Sequence, residues 1–462
     1  MSKRCFWRGL CCALILLAPI GGNLFTETAE DGSGVKNGSS AEAGSTAAND
    51  SAVNLEMVRT LALNKSPALR RLNLAVEAAK LEETSQRYSA LPSVSLSGSA
   101  SLNPVALASS SSGGVGASVG LGVSGSLFSG TRAALLAISK LNAESAREAA
   151  RAEYYSVIGA ADAAYYAVLE DQAIVDAYQS ALDYSAKNLE LARAKLEVGV
   201  ITEADFLEVE STDESNKSSL SQARRDLSVA RRKLAALTGL SLPVKIQAVD
   251  FQAYDGLVKR LSAYDDASLS AFIESVKVKA AANNPGLAQT RLARQSASQS
   301  VRKAQAAYLP SVSASASSSV GTSSGVSASF SLGLSLSLDL WNAALGVRSA
   351  QVAEQEASAA LEGGQMDLAL EAETGALNLV AQAQSLPSAE KALAYAEKNY
   401  ENQYELYRLS SVSISGLAEA SALVSSARKQ LSSAQYGFLY YFSALQCLCA
   451  LSSEGDVMAL IY

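Results

Sequence analysis

Histidine is absent from all 462 residues, which removes the commonest general base and the commonest metal ligand. Cysteine is nearly absent. Of five, Cys5, Cys11 and Cys12 crowd the start of the chain, and Cys447 and Cys449 lie near its end. No zinc or redox spacing occurs among them, and no phosphate-cradling glycine loop occurs anywhere. These absences argue against triad, metal and thiol chemistry, so no metal, cofactor or catalytic residue is expected. Paired carboxylates near a helix end remain as acid/base candidates, but nothing in the pattern closes a pocket around them. Charged residues make up 18 %, below the usual quarter or so, with a net charge of −7. An acidic balance gives nucleic acid no reason to bind.

Long apolar runs are also missing. The run Leu10–Ile20, preceded by Lys3, Arg4 and Arg8, is too short for a membrane span of about twenty residues and reads as a secretory signal within 1–22. Its cleavage falls between Ala18 and Ala29. Removal takes three positive charges with it, so the mature chain moves from −7 to about −10. The three early cysteines precede or sit inside the apolar run, and so are not placed as lipid acceptors at its end. Cys447 and Cys449 are two apart on an expected helix, hence on different faces, and should not pair. Residues 23–52, including DGSGVKNGSSAEAGSTAAND, lack apolar periodicity and are expected to be disordered.

What is present begins at Leu91–Phe128. LPSVSLSGSASL runs through a Ser/Gly/Asn/Pro-rich tip and returns as GVGASVGLGVSGSLF, with Val115, Ala117, Val119, Leu121 and Val123 on every second residue. Period-two alternation marks a strand with one apolar and one polar face, and two such runs make a hairpin. A single Ser/Gly-rich copy also fits a flexible linker. The pattern recurs, however, as LPSVSASAS from Leu309 and as Val326, Ala328, Phe330, Leu332, Leu334, Leu336 and Leu338. Linkers do not recur in phase.

The recurrence extends along the chain. Leu55 matches Ile273, Pro67 matches Pro285, Leu69 matches Leu287 and Leu91 matches Leu309, all 218 apart, and beyond the strand tips the offset falls to about 211. This is a duplication, with repeats at 53–240 and 271–451. Each repeat has a short helix (about Pro67–Tyr88, Pro285–Tyr308), a strand pair (91–128, 309–338), a long helix (Thr131–Val198, Trp341–Leu409), a tip (199–205, 409–417) and a return helix (Glu203–Leu237, Leu417–Leu448). Residues 241–270 break the pattern, mix strand-like and helical pieces, and are expected to pack outside the bundle as an equatorial linker. A tail, 452–462, ends the chain.

The long helices would reach roughly 100 Å and need partners to bury their stripes. Ala161, Val168, Val175, Leu182, Leu189 and Leu196 recur every seven residues. So do Ala372, Leu379, Leu386, Leu393, Tyr400 and Tyr407, with Leu220, Leu227, Leu234 and Leu431, Phe438, Leu445 on the return helices. Heptads specify helix–helix packing, and serve a hollow or a solid bundle equally. Pro387 predicts a kink or local break. Four strands of lipid-spanning length cannot close a barrel alone, so several chains must contribute to one. Tyr88, Phe128, Tyr308 and Trp341 flank the strands, and fit either an interfacial girdle or a core.

With its duplication, the helix starts SPAL (Ser66–Leu69) and NPGL (Asn284–Leu287), the YLP-type strand starts, the heptad helices and GVITEADFL at Gly199–Leu207, the chain resembles the TolC-like outer-membrane efflux proteins. That resemblance implies a mainly α fold with a small β part: duplicated long coiled-coil helices forming a periplasmic α-barrel. Four strands per chain would contribute to a shared, trimeric, twelve-stranded transmembrane β-barrel. It further implies an outer-membrane duct of a tripartite efflux or type I secretion system. The implied partners are two further copies of the chain, a periplasmic adaptor (membrane fusion) protein, an inner-membrane pump (resistance-nodulation-division, ABC or major facilitator type) and outer-membrane lipid. A non-transporting coiled-coil envelope scaffold anchored by hairpins is the rival reading.

The tips carry the candidate site. Gly199 ends the long helix, and Thr202 with Asp205 reads as a capping box for the return helix. This is enough for an αα-hairpin turn. The resemblance adds a narrowed periplasmic mouth, commonly ringed by acidic residues of the second repeat. Aligning Leu417 with Leu207 puts Leu409 opposite Gly199, Ser415 opposite Asp205 and Ala418 opposite Glu208. On this alignment Ser413 and Ser415 offer only hydroxyls, Glu419 is the nearest carboxylate, and any acidic ring must come from Glu203, Asp205 or Glu208.

Overall fold

The computed structural model describes residues 53–102, 115–242, 245–321, 325–336 and 340–461. The expected signal, segment 23–52 and both strand-pair tips lie outside the described residues.

Helix α1 (Leu55–Lys65) is capped by Asn54, whose side chain accepts from the Met57 amide at 2.8 Å. Ser66 then caps α2 (Pro67–Tyr88), which has proline at its first turn. Proline costs nothing there, because that amide has no helical partner anyway, and it bars α1 from running on. The sheet strands β1 (Ser93–Leu102) and β2 (Val115–Phe128) follow, then α3 (Gly130–Glu197, 68 residues) and α4 (Glu203–Thr238). After a short 3-10 turn come α5 (Asp255–Ser262) and α6 (Asp266–Asn283). The second repeat then restates the first: α7 (Pro285–Gln305), capped by Asn284 with proline at its first turn, β3 (Ser311–Gly321) and β4 (Gly325–Ser335). Next are α8 (Leu340–Arg408, 69 residues), α9 (Ile414–Leu448) and a final α10 (Glu454–Ile461).

Four expectations need adjusting. The linker ends earlier than 270, because Asp265 and Ser268 form a capping box that starts α6 at Asp266. Its remainder is anchored: Ile246 bridges to Val53, and Leu257, Val258 and Leu261 of α5 are buried. The tail residues form α10, which buries Val457 and Ile461 and is tied by Tyr254 to Glu454 (3.1 Å) and by Tyr264 to the Ile461 carbonyl (3.0 Å). The local break at Pro387 does not occur. Only one amide is missing, and the flanking Ala383, Leu386 and Ala389 are buried, so α8 continues through it. The second return helix starts at Ile414 rather than Leu417, with Ser413 as its N-cap, so the second tip ends at Ser413 rather than 417.

The heptad reading holds through the middle of the bundle, where Ala161, Val168, Ala372, Leu379, Leu386, Leu227, Leu234 and Phe438 are buried, and on α8 it reaches the tip with Tyr400 and Tyr407. Towards the tips the buried line on α3 rotates away from Leu182, Leu189 and Leu196, which are only half-buried, to Ala181, Ser185, Asn188, Ala192 and Lys195. These follow one another by four and three residues, so they share a face.

The sheet is antiparallel in the order β1-β2-β3-β4, leaving one edge each of β1 and β4 unpaired in the chain. Its register sorts the side chains by face, with Ser318, between Leu121 and Ala328, an exception on the apolar side. Val94 pairs with Val123, Leu96 with Leu121, Val119 with Val320, Val312 with Leu334, and Ala316 with Phe330, all on one face. The other face is Ser and Gly, and its serines bond across strands: Ser99–Ser118 (2.8 Å), Ser315–Ser331 (2.7 Å), Ser317–Ser329 (2.9 Å) and Ser319–Ser327 (2.8 Å). No charged residue lies on any strand. The apolar face is bare in the single chain: Leu96 is 77 % exposed and Phe330 75 %. Tyr88, Phe128, Tyr308 and Trp341 are exposed too, which excludes a core role for them within one chain.

Candidate functional site: the helical tips

Both tips are built alike. At the first, Gly199 (φ 75°) closes α3, its amide bonding the Leu196 carbonyl and the Val200 amide reaching back to Lys195 (2.9 Å each). This pair of bonds is a Schellman ending, which requires the left-handed backbone that glycine adopts freely. Thr202 then caps α4. Its amide and hydroxyl donate to the Asp205 carboxylate at 2.9 and 2.8 Å, and the Asp205 amide donates back to its hydroxyl. Those donors, the Thr202 backbone amide first and its hydroxyl second, hold the Asp205 carboxyl below its ordinary 3.8.

The second tip repeats these bonds 211 residues on. The Ser410 and Ser411 amides bond the Tyr407 and Leu406 carbonyls, and Ser410 stands at φ 61° where the first tip has Gly199. Ser413, the N-cap, matches Thr202. This overturns the alignment of Leu417 with Leu207. Gly416 stands opposite Asp205, and Glu419 stands opposite Glu208. The error was one residue, and its cause is physical: the cap and the left-handed residue fix the register, whereas apolar residues recur every three or four and tolerate a slip. The second tip therefore carries a carboxylate at the Glu208-equivalent position, while its cap is weak. The Gly416 amide reaches the Ser413 hydroxyl only at 3.5 Å, and that hydroxyl lies 2.8 Å from the hydroxyl of Ser415.

Glu203, Glu208 and Glu419 are exposed, and among the described residues their carboxylates make no hydrogen bond or ion pair. No side-chain bond brings the two acidic groups together. What joins the tips is a residue that the sequence reading passed over. Lys195, buried in the last turn of α3, sends its ammonium to the Tyr407 carbonyl and to Ser410 Oγ (3.0 Å), 3.9 Å from the Tyr407 ring centre. An ammonium at the carbonyl end of α8 also complements that helix's dipole. Burial pushes the Lys195 pKa down. Serine rather than glycine at 410 gives Lys195 its second acceptor, which accounts for tolerating a left-handed non-glycine.

This contact ends a seam between the two hairpins. Tyr400 donates to Asn188 Oδ1 (3.1 Å) and packs its ring 4.3 Å from that of Tyr184. Arg428, paired with Glu397 inside the second hairpin (2.7 Å), reaches the Tyr184 hydroxyl of the first (3.5 Å), and Lys429 donates to the Tyr178 hydroxyl (3.0 Å). Where the hairpins approach the α5 and α10 layer, buried Asp162 receives both arms of Arg59 at 2.7 Å and the hydroxyl of Ser443. Only the 211-residue offset, applied strictly, would have pointed to Ser410. Nothing in the heptads marks Lys195, Asn188 or Asp162.

The chain thus joins long paired helices that end in small polar tips to a chargeless sheet with one bare apolar face. The outer membrane efflux protein family matches residues 58–240 and 277–448, which is more than half of the chain and divides at the same place as the duplication. The chain belongs to that family. It is similar in fold to the transmembrane channel CusC (TM-score 0.74, 17 % identity, 86 % of this chain and 91 % of that one). It is also similar to the CmeC outer membrane channel of Campylobacter jejuni (TM-score 0.71, 16 % identity, 88 % of each chain). A third likeness is to the open state of the MtrE outer membrane channel of Neisseria gonorrhoeae (TM-score 0.69, 18 % identity, 86 % and 88 %). At these identities the likeness is one of fold. No curated protein matches the chain in sequence.

Proposed function

We propose that this efflux-family chain is the outer-membrane duct of a tripartite efflux or type I secretion system. It assembles as a homotrimer whose four-stranded sheets join edge to edge into one barrel and whose helices enclose a periplasmic passage. The observation that carries the reading is the sheet. A bilayer core accepts strands only in a closed barrel, because unpaired backbone groups cost several kcal/mol each in hydrocarbon. The free edges of β1 and β4 and the bare apolar face call for further copies. The Ser/Gly face suits a watery lumen.

At the other end the tips form the mouth, where Glu203, Asp205, Glu208 and Glu419 gather from each chain around one axis. Such a concentration of carboxylates favours cations and attracts multivalent ones. A periplasmic adaptor and an inner-membrane pump dock at this end. Single-channel recording in planar bilayers tests the reading. The wild type conducts, prefers cations, and is blocked by trivalent cations from the tip side. Asp205→Ser, Glu208→Ala and Glu419→Ala each reduce selectivity and block without lowering conductance. Unchanged selectivity in all three removes the carboxylates from the mouth. Correctly assembled protein that never conducts refutes the duct itself and favours a scaffold.

A further inference from the structure

The uncharged strand regions end in cations. From Tyr88 to Thr131, and again from Ala304 to Leu338, the sequence carries no charged residue. The register gathers the start of β1, the end of β2, the start of β3 and the end of β4 at one end of the sheet. At three of these four crossings the first charge on the helical side is basic: Arg87 in the last turn of α2, Arg132 in the first turn of α3, and Lys303 beside Arg302 in the last turn of α7. The fourth, Asp339, lies outside the described residues. Helix α7 carries Arg291, Arg294, Arg302 and Lys303 and no carboxylate at all.

Aromatic rings mark the same level. Tyr88, Phe128 and Tyr308 stand on the sheet side of these cations, and Trp341, 85 % exposed, stands in the first turn of α8. Two of the cations have local work: Arg132 donates to the Ser89 carbonyl (2.6 Å), and Arg87 pairs with Glu83 (2.6 Å). Arg302 and Lys303 are exposed and make no ion pair among the described residues.

Rings at the border of an apolar band, with cations just beyond them, match the layering of a lipid leaflet, in which phosphates lie outside the hydrocarbon edge. We propose that Arg302 and Lys303 bind the headgroups of anionic phospholipids, of the phosphatidylglycerol type, in the leaflet at the helical end of the sheet. This rests on the reading of the sheet as a membrane barrel. The phosphodiester supplies the charge that these side chains lack, and the contact fixes the depth at which the barrel sits. Lipopolysaccharide is not the occupant, because its phosphates would lie at the opposite end of the strands.

The test is native mass spectrometry of the full-length protein, equilibrated in micelles holding equal phosphatidylglycerol and phosphatidylethanolamine. The wild type retains phosphatidylglycerol in preference. Arg302→Gln with Lys303→Gln lowers that retention by roughly five-fold per cation removed, whereas Arg302→Lys keeps it, and raising salt weakens the preference. Equal retention of the two lipids by the wild type overturns the proposal. So does undiminished phosphatidylglycerol on the double variant, or lipopolysaccharide as the retained lipid. A protein that conducts ions without lipid preference defeats this proposal alone. One that holds the anionic lipid but never conducts leaves it standing and defeats the duct.

Discussion

Replacing Lys195 by methionine isolates what holds the two tips of one chain together. Methionine keeps the length and apolar stem of the side chain and removes the charge. Lost are two charge-assisted hydrogen bonds, to the Tyr407 carbonyl and Ser410 Oγ, of about 1.5–3 kcal/mol each, and a ring contact of about 0.5–2 kcal/mol. Gained is relief from desolvating an ammonium, worth several kcal/mol, the same cost that lowers the Lys195 pKa. The Tyr407 carbonyl keeps the Ser410 amide as a donor, so it is not orphaned by the change. The balance is a loosening of about 1–3 kcal/mol, or roughly 5- to 150-fold in the population of separated tips. Hydrogen exchange reads this directly, because the Ser410 and Ser411 amides close the end of α8 on the Tyr407 and Leu406 carbonyls (2.9 Å each). Peptides spanning 404–413 should exchange faster in the variant by that factor, while peptides from the sheet exchange as before. Wild-type protection across 404–413 in Lys195→Met would refute the reasoning, and the seam from Tyr178 to Tyr400 would then hold the tips unaided.

Three further outcomes follow from the geometry. Val119→Asp or Leu334→Asp puts a carboxylate on the apolar face and should impair membrane assembly by about 2–4 kcal/mol or somewhat less, while Ser124→Asp assembles normally; a heat-stability series on detergent-purified protein reads both, and damage from Ser124→Asp alone would invert the faces. Asp162→Ala leaves Arg59, bonded to it at 2.7 Å, without its buried partner and should cost about 3–5 kcal/mol in chemical denaturation; a loss below 1 kcal/mol would show water reaching Arg59. The Asp205 carboxyl is held below its ordinary 3.8, so its capping of α4 is complete above that value and is lost as pH falls through the lowered one. Amide exchange in the first turn of α4 should therefore gain an acid-dependent component that Asp205→Ser lacks.

The chain's own pattern determined the duplication, the strand faces and the existence of the hairpins, because each rests on a period. Period two can be satisfied by one register only, since a slip by one turns every side chain of a strand to the wrong face. That is why Val119, Leu121, Phe330 and Leu334 fell where alternation put them. Thr202 and Asp205 were legible for a related reason: a capping box is a local bond, complete within four residues.

Helix-on-helix detail was decided by the tertiary structure. A helix stripe is wide, so burial can drift from Leu182, Leu189 and Leu196 to Ser185, Asn188 and Lys195 without any change in local propensity. The pairing of Lys195 with Ser410, and of Asp162 with Arg59 and Ser443, joins residues 215, 103 and 281 positions apart. No local period encodes such contacts. They exist because the second hairpin packs against the first, and a buried ammonium or carboxylate is tolerated only where packing brings it a partner. The one-residue correction that set Glu419 opposite Glu208 has the same origin: apolar spacing left the register of the second tip loose, and the left-handed backbone at Ser410 fixed it.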